Sequence, residues 1–259
     1  MKKRNTLLST VLISLLFSCG QKNSGTNSES VTLPITKPAE NIDATPDQKE
    51  RRAKSEDYCK VRNIPIYKNP NSLFVDPEEA VTIRTKDQVV DRALALWFIG
   101  LKSEGLEQKH LDKMDTEFNI HAKLTPSEKK YAESSNPSEQ QTIDANWRYE
   151  SLHVLLWSLG FIDSLRYAGE MCNVADDVKV IYELGETKFR EQAKLRTKKE
   201  ILDQADLILR LHWACVNARV KNEEAPGGLN ASVVYERHYS LNWLIRYLDQ
   251  EWDDVSTDT

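Results

Sequence analysis

The sequence contains no Asn-Gly or Asp-Gly dipeptide, and no stretch alternates apolar and polar residues for long. The usual marks of β-hairpins are therefore missing. None of its cysteines stands in a Cys-x-x-Cys pair, which argues against a dithiol redox site or a structural zinc site. Gly-x-Ser-x-Gly, a glycine-rich phosphate loop and His-Glu-x-x-His are also absent. With them go the familiar signatures of serine hydrolases, phosphate-cradling nucleotide sites and zinc proteases. A strong excess of charge of either sign is missing too. The net charge is −5 and no basic patch stands out, so nothing marks a nucleic-acid footprint.

What is present begins at the first residue. Lys2, Lys3 and Arg4 precede an apolar run from Thr6 to Ser18. That run is shorter than the ~20 residues a membrane helix needs and reads as a cleaved export signal, residues 1–18. It ends Leu16-Phe17-Ser18-Cys19, which resembles the lipobox of bacterial lipoproteins, with Phe17 bulkier than the commonest residue at its position. The resemblance implies cleavage before Cys19 and lipidation of its thiol. Each buried CH₂ of such a lipid contributes about 0.8 kcal/mol, so more than one chain anchors stably. Gly20, not Asp, follows Cys19, which among lipoproteins favours the outer membrane. From there to residue 47 Ser, Thr, Asn, Pro and Gly dominate and no aromatic occurs. Such a segment buries too little to offset its ordering entropy. The expectation is a disordered tether, residues 19–47 with the lipidated cysteine, reaching on the order of 30 Å.

The rest, residues 48–259, reads as one all-α domain of about eight to ten helices. Helix starts are plain at Asp76-Pro77-Glu78-Glu79, Thr125-Pro126-Ser127-Glu128 and Asn136-Pro137. Thr85 with Gln88 and Thr197 with Glu200 form capping boxes. Helical spacing of apolar residues predicts long helices over 86–102, 137–159, 198–221 and 231–251. Residues 178–184, "VKVIYEL", are the one strand candidate and also fit a helix. Cys59, Cys172 and Cys215 suit buried apolar positions; in an exported domain two of them have the alternative of a disulfide.

Charged residues interrupt the apolar stripes. Arg148, Arg92, His212 and Arg237 all fall on helix faces that are otherwise apolar. A charge in such a place costs several kcal/mol unless paired. Glu150, Asp91, Asp203, Asp206 and Glu236 are the candidate partners, and Asp206 with Arg210 has i,i+4 spacing on one helix. Two readings follow. One is a structural network fixing helix register, bracketed by Trp147, Trp157, Trp213 and Trp243. The other is a pocket in which Arg148, Arg237 and His212 receive an anionic ligand, with Glu150 or Glu236 as acid or base. Two Glu-x-x-His pairs, Glu107/His110 and Glu150/His153, have the spacing of carboxylate-bridged di-metal bundles. Glu107 and His110 lie on a helix charged nearly all round, so no metal and no other cofactor is expected.

The segments "NWRYESLHVLLWSLG" (146–160), "LRTKKEILDQADLILRLHWA" (195–214), "ERHYSLNWLI" (236–245), "IRTKDQVVDRALAL" (83–96) and "WDDVSTDT" (252–259) resemble a bacterial family, domain of unknown function 4272. The resemblance covers about residues 50–259. It implies one helical domain and no assigned activity, so it supplies no catalytic residues. The functional expectation is a lipid-anchored cell-envelope protein that binds an envelope protein or a small anionic ligand. Its partners are then membrane lipid through Cys19 and that ligand, not nucleic acid. The alternative is an enzyme, perhaps a hydrolase, with Glu150, His212 and Glu236 converging.

Overall fold

A computed structural model describes residues 41–259. The expected signal, Cys19 and most of the tether lie outside the described residues. Among the described residues there are eight α-helices and no strand: α1 (Pro46–Val61), α2 (Lys86–Ser103), α3 (Gln108–Phe118), α4 (Pro126–Glu133), α5 (Glu139–Ser158), α6 (Val174–Gln192), α7 (Lys198–Val220) and α8 (Ala231–Leu244). They form one helical domain. No described helix is long and apolar enough to cross a membrane.

The core follows from how much of each helix is apolar. In α2 every residue from Val89 to Gly100 except Asp91 is buried, so α2 is surrounded on nearly all sides. Helix α5 packs along α2, α8 packs on α5, α7 on α8 and α1 on α7. Gly100 permits the first contact. A Cβ there would meet the Tyr149 ring of α5 at 2.5 Å, well inside van der Waals contact. The expected boxes at Thr85 and Thr197 both form, each with the threonine Oγ1 accepting from the N3 amide.

Two local expectations are corrected and one left open is decided. Residues 76–79 start no helix but make a turn. Its polar groups are taken elsewhere: the Glu78 amide donates to Asp47, and Lys198 donates to the Glu78 and Val81 carbonyls. The last long helix stops at Leu244 rather than running to 251, because Arg84 occupies its end. The Arg84 amide donates to the Leu244 carbonyl, and its guanidinium donates to those of Trp243 and Gln250. Residues 178–184 lie within α6, which kinks at Gly185, where φ is +67°.

Candidate functional site

Charged residues on the buried faces do not form one cluster. They separate into pairs, most of them bridging two helices and one lying within α7. Arg237 of α8 donates through Nε to Glu150 of α5 at 3.3 Å and through a terminal nitrogen to the Arg166 carbonyl at 2.6 Å. Both charged side chains are less than 5% exposed. Glu150 also accepts from the Cys172 amide. Asp206 and Arg210 pair within α7 at 2.8 Å and are equally buried. Arg92 pairs with Glu128 at the start of α4, not with Asp91, which reaches Arg190 on α6. Asp203 is not in the core; it pairs with Lys199 at the surface. The tryptophans do not bracket a common network either. Trp157 and Trp243 lie under Arg196 and Arg84, and Trp213 meets Tyr67.

The remaining candidates line a cleft of about 510 Å³ where α5, α7 and α8 meet. Arg148 and Trp147 come from α5, His212 and Arg219 from α7, and Tyr235 and Glu236 from α8, with Asp144 at the rim. Arg148 donates to Glu236 at 3.1 Å, and Glu236 also accepts from the Ser151 hydroxyl at 2.7 Å. The Arg148 guanidinium lies 4.6 Å from the centre of the Tyr239 ring and 5.8 Å from that of Trp252. These aromatic faces hold it in place by cation–π attraction. Its side chain is 24% exposed, whereas Glu236 is 8% exposed. Burial pushes the Glu236 carboxyl above the ordinary carboxylate range, against the pull of Arg148 and Ser151.

Among the described residues His212 meets no carboxylate. Its Nδ1 lies 2.7 Å from Nδ1 of His238. A hydrogen bond at that place needs one ring to carry a proton on Nδ1 and its neighbour to accept through a bare Nδ1, so at least one of the two rings is neutral. Burial holds His212 down to about 4, with Arg219 adding to the effect. Burial, then His212, holds His238 down to about 3. Cys215, also on the cleft wall, is pushed up to about 11 by burial, so it is a thiol at neutral pH. Cys59, Cys172 and Cys215 are all free.

Thus the structure brings Arg148, Glu236 and His212 to one cleft, while Glu150 and Arg237 pair behind it. Ser151, His238, Arg219 and Trp252 were not among the expected residues. His238 follows Arg237 directly, but α8 is buried on nearly every side, so no polar face stood out against a stripe. Trp252 comes from the C-terminal "WDDVSTDT" segment, which folds back so that the Tyr239 hydroxyl donates to its carbonyl.

An all-α domain with ion pairs between its central helices, opening into one polar, aromatic-walled cleft, is what fold and site define. A family model described as "Domain of unknown function (DUF4272)" matches residues 51–255, and the chain belongs to that family. No curated protein and no solved structure matches it.

Proposed function

We propose that this protein is a lipid-anchored binding module of the bacterial cell envelope, and that the cleft between α5, α7 and α8 receives a small anionic ligand. The supporting observation is the state of the two cleft arginines. Arg148 spends one terminal nitrogen on Glu236, and its other donors have no acceptor among the described residues. Arg219 has no ion-pair partner among them. Free guanidinium donors beside Trp147 and Tyr235 suit a planar carboxylate or a phosphate attached to an apolar or ring body. The export signal and Cys19 support the envelope anchor, because an apolar run that stops at a cysteine is the pattern of lipidation.

The test is calorimetric titration of the protein with inorganic phosphate, citrate and benzoate. At least one should bind. Arg219→Ala should weaken that binding by about tenfold or more, the loss of a charge-assisted hydrogen bond worth ~1.5–3 kcal/mol, with the melting temperature unchanged. No binding by any of them, or binding indifferent to Arg219→Ala, would defeat the anionic-ligand reading.

A second reading is acid–base chemistry on the bound ligand. Its support is Glu236, whose carboxyl is raised by burial and faces the cleft. The expected trio of Glu150, His212 and Glu236 does not assemble, since Glu150 is bound to Arg237 and the Cys172 amide.

A further inference from the structure

On α5, Glu150 and His153 have the Glu-x-x-His spacing of a two-metal bundle. The second pair expected for such a bundle does not join them. Instead, the loop after α5 and the first turn of α6 bring different groups to His153. Its Nδ1 lies 3.1 Å and 2.9 Å from the two carboxylate oxygens of Asp177. Cys172 sits just before Asn173, whose side chain caps α6. One ligating atom from each of His153, Cys172 and Asp177 lies within 4.8 Å of the others. A histidine–aspartate hydrogen bond alone would need no sulfur beside it.

We propose that His153, Cys172 and Asp177 form a binding site for a single divalent transition-metal ion, with Zn²⁺ the best-suited ion. The donor set is one imidazole nitrogen, one thiolate and one carboxylate. This mixture of soft and intermediate ligands suits Zn²⁺ and disfavours Mg²⁺ and Ca²⁺, which take oxygen. Tetrahedral Zn²⁺ with bonds of about 2.0–2.3 Å places its ligands roughly 3.3–3.8 Å apart. The three ligating atoms, within 4.8 Å of one another, bracket that spacing: the His153–Asp177 contact of 2.9 Å must open slightly to admit an ion. Three protein ligands leave the fourth position to water, the arrangement of zinc sites that keep an open coordination position.

The surroundings fit a cation. The Asp177 side chain is 4% exposed and that of His153 is 12% exposed. Cys172 is partly exposed, so an ion has a way in. Glu150 stands at one remove. One of its oxygens accepts from the Cys172 amide and the other from Arg237, so both are already engaged. It fixes the cysteine backbone, the part that outer partners play around metal ligands. Without a cation, burial and then the charges of Glu150 and Asp177 push the Cys172 thiol far above its ordinary range. On binding, Zn²⁺ takes the thiolate and the thiol proton passes to water.

The test uses the untagged full chain in detergent, stripped with chelator, then titrated with Zn²⁺ and separately with Co²⁺. One equivalent of Zn²⁺ should bind. The Co²⁺ form should show a thiolate-to-metal charge-transfer band and the intense visible bands of tetrahedral cobalt. Cys172→Ser should abolish the charge-transfer band. Asp177→Asn should weaken Zn²⁺ binding by at least the ~10–100-fold seen when an outer partner is lost, with the helical circular dichroism of each variant unchanged. Failure to bind one equivalent, a cobalt spectrum without the thiolate band, or affinity indifferent to both substitutions overturns the site. Arg219→Ala, the cleft variant, should leave Zn²⁺ binding intact. The two proposals therefore fail separately.

Discussion

His212 and His238 share a hydrogen bond between two buried rings. The protein holds both far below the 6.5 of a free imidazole. As pH falls from 6.5 toward about 4, the unfolded chain binds protons that the folded chain refuses. Stability is therefore complete above pH 6.5 and declines as the pH drops through that window. The slope approaches ~1.4 kcal/mol per pH unit for each histidine. His238→Gln should flatten it. Urea unfolding of both proteins at pH 7 and pH 4.5 checks this, and an equal loss in both would show that other groups control the acid limb. At this scale the sequence showed which residues were anomalous but not their partners. His212 was expected to meet an acid and instead meets a histidine 26 positions away.

Between elements, the polar residues act as pins. Arg84 and Arg196 are the clearest case. Each opens an Arg-Thr-Lys triplet, each stacks 5.0 Å above a tryptophan ring, and each donates to the backbone carbonyl of that same tryptophan. Trp243 and Trp157 lie at the C-terminal ends of α8 and α5, where carbonyls lack helical partners and the helix dipole favours a cation. The threonine caps the helix that follows, and the lysine reaches carbonyls elsewhere: Arg190 for Lys86, Glu78 and Val81 for Lys198. The triplet thus starts one helix and docks it on the end of another. The capping half was legible in the sequence. The docking half was not, because its acceptors are backbone groups that carry no sequence label.

The Glu150–Arg237 pair ties α5 to α8 in the same way. Arg237→Ala should lower stability by about 3–5 kcal/mol, since it leaves Glu150 charged and buried beside a gap. Chemical denaturation measures this. A loss below ~1 kcal/mol would mean that water reaches Glu150.

For the molecule as a whole, the proposed anchor at Cys19 is open to a direct test. Cys19→Ala should move the protein from the membrane pellet to the soluble fraction after cell lysis and high-speed centrifugation. Retention in the pellet would mean that some other contact holds it. No described helix is long and apolar enough to cross a membrane.

The sequence by itself determined the all-α class, the capped starts of α2, α4 and α7 and the apolar faces that α2, α5, α7 and α8 bury. Those properties depend on periodicity and on residues within four positions of each other. It also determined that Arg92, Arg148, Arg237 and His212 would sit on those faces. Only the tertiary structure decided what they do there. Arg148 and Glu236 are 88 residues apart, Glu150 and Arg237 are 87 apart, and His153 and Asp177 are 24 apart. Which carboxylate meets which arginine depends on the rotation of one helix about its axis against another. That rotation is a matter of packing between helices distant in sequence, not of local sequence. The same geometry leaves Glu150 out of the cleft lining, paired with Arg237, and brings His153 to Asp177.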